Sequence, residues 1–294
     1  MPIINRLDIR NWITEIATGE FHYKNVCGLD GNLLPEETNN LRKIMHDFSH
    51  GESAIIEPVG RRDGWYRPIQ SDGKPIDWQV IERRRDSGLI LPFDLRKHCF
   101  IYPDTTIAVA GSKSSGKSGF LYRTVALNMN RIHTVLLTNL EGGVSMLRDR
   151  FEAMDIEIPK PAPFEVIPVF DNFHDYIKKS NTLYVIDYID APEGTDFYLI
   201  GAQVKKVDNK LQGKNSNAVI GLQKPLGRDT AFGGEQTLKV ATLYLAMDDK
   251  SLKIVDAKVP ADKKVHPKNM KWTFLYDQEG TNFLNIQPSY EEDF

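Results

Sequence analysis

One stretch restricts the fold more than any other: Ile107-Ala-Val-Ala-Gly-Ser-Lys-Ser-Ser-Gly-Lys-Ser118. An apolar run ends at Gly111, a Gly/Ser/Lys loop follows, and residues 119–129 have the pattern of a helix. The loop fits G-x-x-x-x-G-K-[ST], the phosphate-binding P-loop between a strand and a helix. A tight turn of this kind directs several backbone N–H groups inward, and the helix N-terminus adds partial positive charge. Gly111 and Gly116 allow close backbone approach and positive φ. Lys117 is placed to reach the β- and γ-phosphates and Ser118 to ligate Mg²⁺, while Ser112, Lys113, Ser114, Ser115 and Gly119 complete the cradle. A chance match is expected in on the order of one per cent of chains this long. The apolar run before the loop and the helix after it are the context the motif needs.

Downstream, strand and helix patterns alternate. Strands are predicted at 107–110, 134–139, 164–169, 182–187 and 218–223, and helices at 117–130, 143–153, 173–179 and 196–212. Alternation of this kind means a mostly parallel sheet with helices on both faces, and ligands then bind at the carboxyl ends of its strands. Three further strand patterns, at 242–247, 252–256 and 271–275, extend one edge. Leu183-Tyr-Val-Ile-Asp187 is an apolar run ending in an acid, the Walker B pattern, which delivers Asp187 to the Mg²⁺ side of the nucleotide.

The first 69 residues differ. Ile9, Trp12, Ile13 and Ile16 share one face of a predicted helix that Gly19 ends. Residues 23–29 make a short helix or turn. A third helix starts at Pro35, buries Leu41, Ile44, Met45 and Phe48, and stops at Gly51. Residues 53–59 and 65–69 flank the turn Gly60-Arg-Arg-Asp-Gly64 as a hairpin. Three helices and a hairpin with a basic tip resemble a winged helix. Asn39, Asn40, Arg42 and Lys43 on the third helix are residue types that contact bases and phosphates, and Arg61 and Arg62 at the tip suit backbone phosphate. The alternative is a protein-docking domain with solvated charges. Residues 70–104 read as a linker or oligomerisation segment. Its Trp78, its charged run Glu82-Arg-Arg-Arg-Asp86 and its apolar Gly88-Leu-Ile-Leu-Pro-Phe93 pack either on a neighbouring subunit or on the domain at 105–294.

The segment Leu136-Leu-Thr-Asn-Leu-Glu-Gly-Gly-Val-Ser-Met-Leu-Arg-Asp-Arg150 is similar to the one after the second core strand of hexameric replicative helicases (DnaB-like and RepA-like) and their RecA-like relatives. The resemblance spans roughly residues 88–285. It implies a RecA-like ATPase domain using ATP and Mg²⁺, with Glu141 as the general base that orients the attacking water. The other reading of Glu141 is an acid favouring a helix N-terminus. Val219-Ile-Gly-Leu-Gln-Lys224 looks like the fourth core strand of the family, ending in the polar sensor Gln223. Residues 224–236 resemble its flexible, DNA-facing loop, with Gly227, Gly233 and Gly234 and the cations Lys224 and Arg228. Arg228 reads equally as an arginine finger on a neighbour's γ-phosphate. Asp190-Ala-Pro-Glu-Gly-Thr195 is a second, acidic candidate channel loop. One departure stands out: these helicases carry a Lys-x-Arg pair acting across the subunit interface, and here Lys258 is followed by Pro260 where the arginine would be. Lys263 and Lys264 are the nearby substitutes.

Composition sets the remaining limits. A formal net charge of −3 does not mark the whole chain as a nucleic-acid binder. Cys27 and Cys99 form no C-x-x-C and suit a reducing compartment. The seven histidines lack metal-ligand spacing, and neither a signal-peptide core nor a membrane-length apolar run is present. The expectation is a cytoplasmic protein of a bacterial or archaeal host, of the type phages and mobile elements carry. It engages single- or double-stranded DNA as a homo-oligomer, a hexameric ring or a filament, and couples ATP hydrolysis to replication or recombination. The rival readings are a non-motor ATP switch that recruits partners and, ranked below it, a P-loop kinase with a docking domain.

Overall fold

The computed structural model describes residues 5–29, 33–60, 62–69, 75, 77–79, 86–190 and 197–289. Arg61, residues 82–85 of the charged run and residues 191–195 of the acidic loop lie outside this set. The chain divides into two compact units, Met1–Ile81 and Glu82–Phe294.

The first unit runs through helix α1 (Arg6–Asn11), a π-helical turn (Trp12–Ile16), strand β1 (Phe21–His22), a 3₁₀ turn (Tyr23–Gly28), helix α2 (Pro35–Ser49), β2 (Ile56–Pro58) and β3 (Trp65–Pro68). Asn5 caps α1 by accepting from Leu7 N. Pro35 opens α2, where its missing N–H costs nothing, and Glu37 accepts from Leu34 N at 2.9 Å. Leu41, Ile44, Met45 and Phe48 are buried with Ile9, Ile13, Val26 and Ile56. Ile16 is exposed, contrary to the helical pattern. The chain forms an i→i+5 bond, Ala17 N to Trp12 O at 2.8 Å, and this wider turn rotates Ile16 off the face shared by Ile9 and Ile13. The three strands pair in the order β1-β3-β2, all antiparallel. Strand β1 is too short to carry a periodic signal.

The second unit continues with a 3₁₀ turn (Pro92–Lys97), β4 (Thr105–Gly111), α3 (Lys117–Asn128), β5 (His133–Thr138), α4 (Gly143–Glu152), β6 (Glu165–Pro168), a 3₁₀ turn (Phe173–Tyr176) and β7 (Thr182–Ile189). Then come α5 (Tyr198–Leu211), β8 (Asn217–Gln223), α6 (Glu235–Val240), β9 (Leu243–Asp248), β10 (Ser251–Ala257), β11 (Lys271–Tyr276) and β12 (Phe283–Ser289). The described residues form a nine-stranded sheet, β12-β11-β10-β9-β4-β8-β7-β5-β6. It is parallel from β9 to β6 and antiparallel from β9 outward through β12.

Strand β4 lies at the centre and is buried on both faces. Ile107 and Val109 enter one apolar core, and Ala108 and Ala110 enter the other, as the two-residue repeat of a strand requires. The apolar entry segment belongs to the first of these cores. Leu89, Leu91, Phe93, Cys99 and Ile101 are buried in it, and Asn128 of α3 clips the segment by bonds to Ile90 N and Ile90 O at 2.9 and 2.7 Å. Strand β12 escaped the sequence pattern. It is an edge strand bearing Pro288, and its outer half is exposed. No helix among the described residues is long and apolar enough to cross a membrane.

Candidate functional site

The P-loop leaves the carboxyl end of β4, flanked by the ends of β8 and β9. Gly116 takes φ 85° immediately before α3, so the chain enters the helix through a left-handed residue. Gly111 lacks room for a side chain: a Cβ there would meet Ser115 Oγ at 2.5 Å and Lys117 Cβ at 3.0 Å.

The ends of β8, β7 and β5 deliver side chains to this loop. Lys117 is buried, its Nζ donating to Oε1 of Gln223 at the end of β8 (3.0 Å) and lying 4.3 Å from the centre of the Tyr188 ring. Ser118 Oγ donates to Oδ1 of Asp187 on β7 at 3.2 Å. Beyond β5, Leu140 takes φ 54° and Gly142 and Gly143 take 82° and 81°, a sharp turn that puts exposed Glu141 at the mouth and starts α4. A cavity of about 740 Å³ joins these groups, lined by residues 112–119, Glu141, Arg150, Tyr188, Gln223 and, from the far edge of the sheet, Tyr276 and residues 278–280.

The electrostatics are poised for charged ligands. Burial pushes the Asp187 carboxyl up from its ordinary range, opposed by hydrogen bonds from Tyr122 and Ser118 and by the charge of Lys117. Burial pushes the Lys117 ammonium down, opposed by Asp187, Glu141 and Asp190. Both groups therefore lack full compensation, which an anion beside Lys117 and a cation beside Asp187 would supply. Ser115 Oγ adds a second sign: it is buried in the loop without a hydrogen-bond partner. An unsatisfied buried hydroxyl is uncommon and costly, and a phosphate oxygen in the loop would satisfy it. The donor set fits a polyphosphate with a hard divalent cation.

Tyr122, Tyr188, Arg150 and the 278–280 turn were not legible as site residues. Tyr122 sits on α3 within an apolar run, and burial and the neighbouring Asp187 push its hydroxyl up from its ordinary range. Tyr188 and the 278–280 turn come from positions outside any motif, while Arg150 closes the segment 136–150 without a role assigned to it there.

The remaining candidates lie elsewhere. Lys258 follows β10, whose end pairs with the start of β9, so it lies at the opposite end of the strands from the P-loop. Its Nζ donates to the Lys239 carbonyl near the end of α6 (2.8 Å), beside Lys205 and Asp208 in a second cavity. Pro260 bridges to Cys99, and Lys263 and Lys264 are exposed.

The place of Lys224 corrects its reading as a DNA-facing cation of the 224–236 loop. Its side chain is fully buried, with Nζ 2.6 Å from Asp248 Oδ1 and 2.7 Å from Arg228 O. Asp248 Oδ1 also accepts from Ser112 Oγ at 3.3 Å. With no exposed surface, Lys224 braces the loop against the P-loop and presents no charge to solvent. Arg228 is exposed, while Lys253 pairs with Asp229 at 3.1 Å and Phe232 N donates to Gln223 O.

In the first unit, Asn39, Asn40, Arg42 and Lys43 are exposed on α2. Arg42 is partly engaged, with Nε 3.0 Å from Tyr23 Oη. Arg62 lies 3.5 Å from Glu20 and over the Trp65 ring.

No protein family profile matches the sequence, and no curated protein matches it. Solved structures do. A KaiC-like protein from the hyperthermophilic archaeon Pyrococcus horikoshii is similar at a TM-score of 0.51 and 18% identity, over 70% of this chain and 99% of that one. The structure of a RadB recombinase aligns at a TM-score of 0.43 and 14% identity, over 63% of this chain and 92% of that one. The fold of the second unit is RecA-like.

Proposed function

We propose that this chain is an ATP hydrolase that binds ATP with Mg²⁺ in the P-loop cavity and couples turnover to DNA engagement as a homo-oligomer. One observation carries the reading. Lys117, Ser118, Asp187, Glu141 and Gln223, from distant parts of the sequence, converge on a loop whose buried Ser115 hydroxyl lacks a partner. In this reading Lys117 and the loop amides hold the phosphates. Ser118 and Asp187 hold Mg²⁺, which when bound supplies Lewis-acid charge at the phosphates. Glu141 orients the attacking water, and Gln223, released from Lys117, contacts the terminal phosphate. Lys258 and Arg228, remote from or exposed beside this chain's own site, serve a neighbouring subunit in a ring or filament. The order of elements in the first unit and the polar outer face of α2 support a winged helix that contacts DNA.

A non-motor ATP switch is the second reading, favoured by Pro260 standing where an interface arginine is expected. The test is steady-state ATP hydrolysis with and without single- and double-stranded DNA, with particle mass followed in the same samples. Several-fold stimulation with assembly supports the motor. ATP-driven assembly with flat, slow turnover supports the switch. No nucleotide binding refutes both.

A further inference from the structure

The turn joining β11 to β12, residues 277–282, forms one wall of the P-loop cavity, and its residues divide into two groups. The first group fixes the turn. Asp277 Oδ1 accepts from Thr281 N at 2.8 Å and from Asn282 N at 3.2 Å, and Asp277 Oδ2 accepts from Asn282 Nδ2 at 2.6 Å. Asn282 then ties the turn to the ATPase core. Its Nδ2 donates to Ala153 O at 2.8 Å, and its Oδ1 accepts from Arg123 at 3.1 Å and from Asp155 N at 3.0 Å. Arg123 is held in turn by Asp155 at 2.6 Å. The second group is Gln278 and Glu279 at the apex. Both line the cavity, and neither makes a hydrogen bond or ion pair among the described residues. The fixed turn therefore holds two exposed polar side chains, without protein partners, at the cavity wall, where a ligand could meet them.

The place of the turn along the P-loop identifies the part of the ligand. A Cβ at Gly119 would collide with Gly280 O, so the turn rests directly on the first helical turn of α3. Lys117, Gln223 and Glu141 mark the terminal-phosphate end of the cavity. A triphosphate laid along the loop has its terminal group at Lys117 and its α-phosphate over the start of the helix. The next group along a nucleotide is its sugar. A carboxylate beside phosphate would be repelled, but the same carboxylate beside a vicinal diol accepts two O–H donors. Acidic residues hold ribose hydroxyls in this manner in dinucleotide-binding folds.

We propose that Glu279 accepts hydrogen bonds from the ribose hydroxyls of the bound nucleotide, so that the site selects ribonucleoside over 2′-deoxyribonucleoside triphosphates. The inference rests on the nucleotide-binding reading above. It also accounts for the attachment of the antiparallel edge of the sheet to α3.

The test is calorimetric binding of β,γ-imido-ATP and of its 2′-deoxy counterpart, both with Mg²⁺, to the full chain and to its Glu279→Ala and Glu279→Gln variants. Glu279 is exposed, and thermal unfolding checks that the variants keep the fold. The wild type should prefer the ribonucleotide by about five- to tenfold, the range for a half-open charge-assisted hydrogen bond. Glu279→Ala should remove the preference by lowering ribonucleotide affinity more than that of the deoxy analogue, which keeps only its 3′-hydroxyl as a donor, with Glu279→Gln between. If the wild type binds both analogues and the variants keep its preference, or lose both analogues equally, this inference fails and the nucleotide site stands. If the wild type binds neither, both readings fall.

Discussion

Replacing Lys224 by Met tests whether this residue is a surface cation or an internal brace. Its side chain is 0% exposed and its partner Asp248 is 35% exposed, with 2.6 Å between the charged atoms. Removing one member of a buried pair leaves the other charge unmatched, at a cost of about 3–5 kcal/mol. Water reaches Asp248 and reduces this, so about 3 kcal/mol is the working figure. For a unit of this size that corresponds to a fall of about 6–12 °C in the unfolding temperature. Scanning calorimetry in the absence of nucleotide reads it directly. The Lys224→Met/Asp248→Asn double variant should recover at least half of the loss, because no unpaired charge remains and the amide oxygen introduced at that position still accepts from Ser112. Were Lys224 instead a DNA contact, Lys224→Met would leave the unfolding temperature within a degree or two. It would also reduce the salt dependence of DNA binding by about one counterion. That pair of results would refute the brace.

Other expectations follow from the site and its surroundings. Lys117→Ala should lower ATP turnover by at least about 10²-fold with the fold intact by circular dichroism; unchanged hydrolysis would remove the P-loop assignment. Tyr122→Phe removes a hydroxyl that helps hold the buried Asp187 carboxyl ionised, so the Mg²⁺ concentration for half-maximal turnover should rise by up to about tenfold, with little change in kcat at saturating Mg²⁺. A fall in kcat at every Mg²⁺ concentration would assign Tyr122 another role. Burial pushes the Cys99 thiol up to about 12, so at pH 8 only about 10⁻⁴ of it is thiolate. Cys27 is exposed, though burial and Asp8 raise its thiol too. A thiol reagent should therefore label one cysteine per native chain, slowly, and two after denaturation. Two native labels would contradict the packing of the entry segment.

The end of the cavity proposed to hold phosphate was legible because its signal is local. A P-loop is a run of adjacent residues whose backbone does the binding, and Walker B is a buried strand ending in an acid. Glu141 was singled out by its place after β5 and by resemblance, and it lines the cavity; the positive-φ residues around it are sequence-local too. The parallel sheet was legible for the same reason, since each strand buried on both faces writes a continuous apolar run. What failed at Lys224 was a pairing decided by a partner distant in sequence. Lys224 carries the same charge whether it meets solvent or Asp248, and only the pairing of β8 and β9 with β4 brings Asp248 to it. Ile16 fits a helical period, and one wide turn removes it from the core.

The same distinction explains why the nucleoside end could not be read. Asn282 reaches Arg123 and Asp155 across 159 and 127 residues of sequence, and the strand that follows it is largely exposed, with no clean alternation. Its Asp277 partner lies only five residues away, yet the spacing is meaningless until β11 and β12 pair. A motif can specify phosphate chemistry because every nucleotide presents the same phosphates to the same backbone. Sugar selection needs a side chain set beyond the α-phosphate, and here the residue in that position comes from an edge hairpin added outside the parallel core. Chains that share the P-loop but differ in this hairpin should therefore share triphosphate binding and differ in sugar preference. Exchanging the 278–279 apex for Gly-Ser, with Asp277 and Asn282 kept, is the variant that separates the two: it should abolish the ribose preference, while deoxynucleotide affinity falls only by the weaker contact to its 3′-hydroxyl and triphosphate binding persists. Loss of binding to both nucleotides would show instead that the apex holds the phosphates.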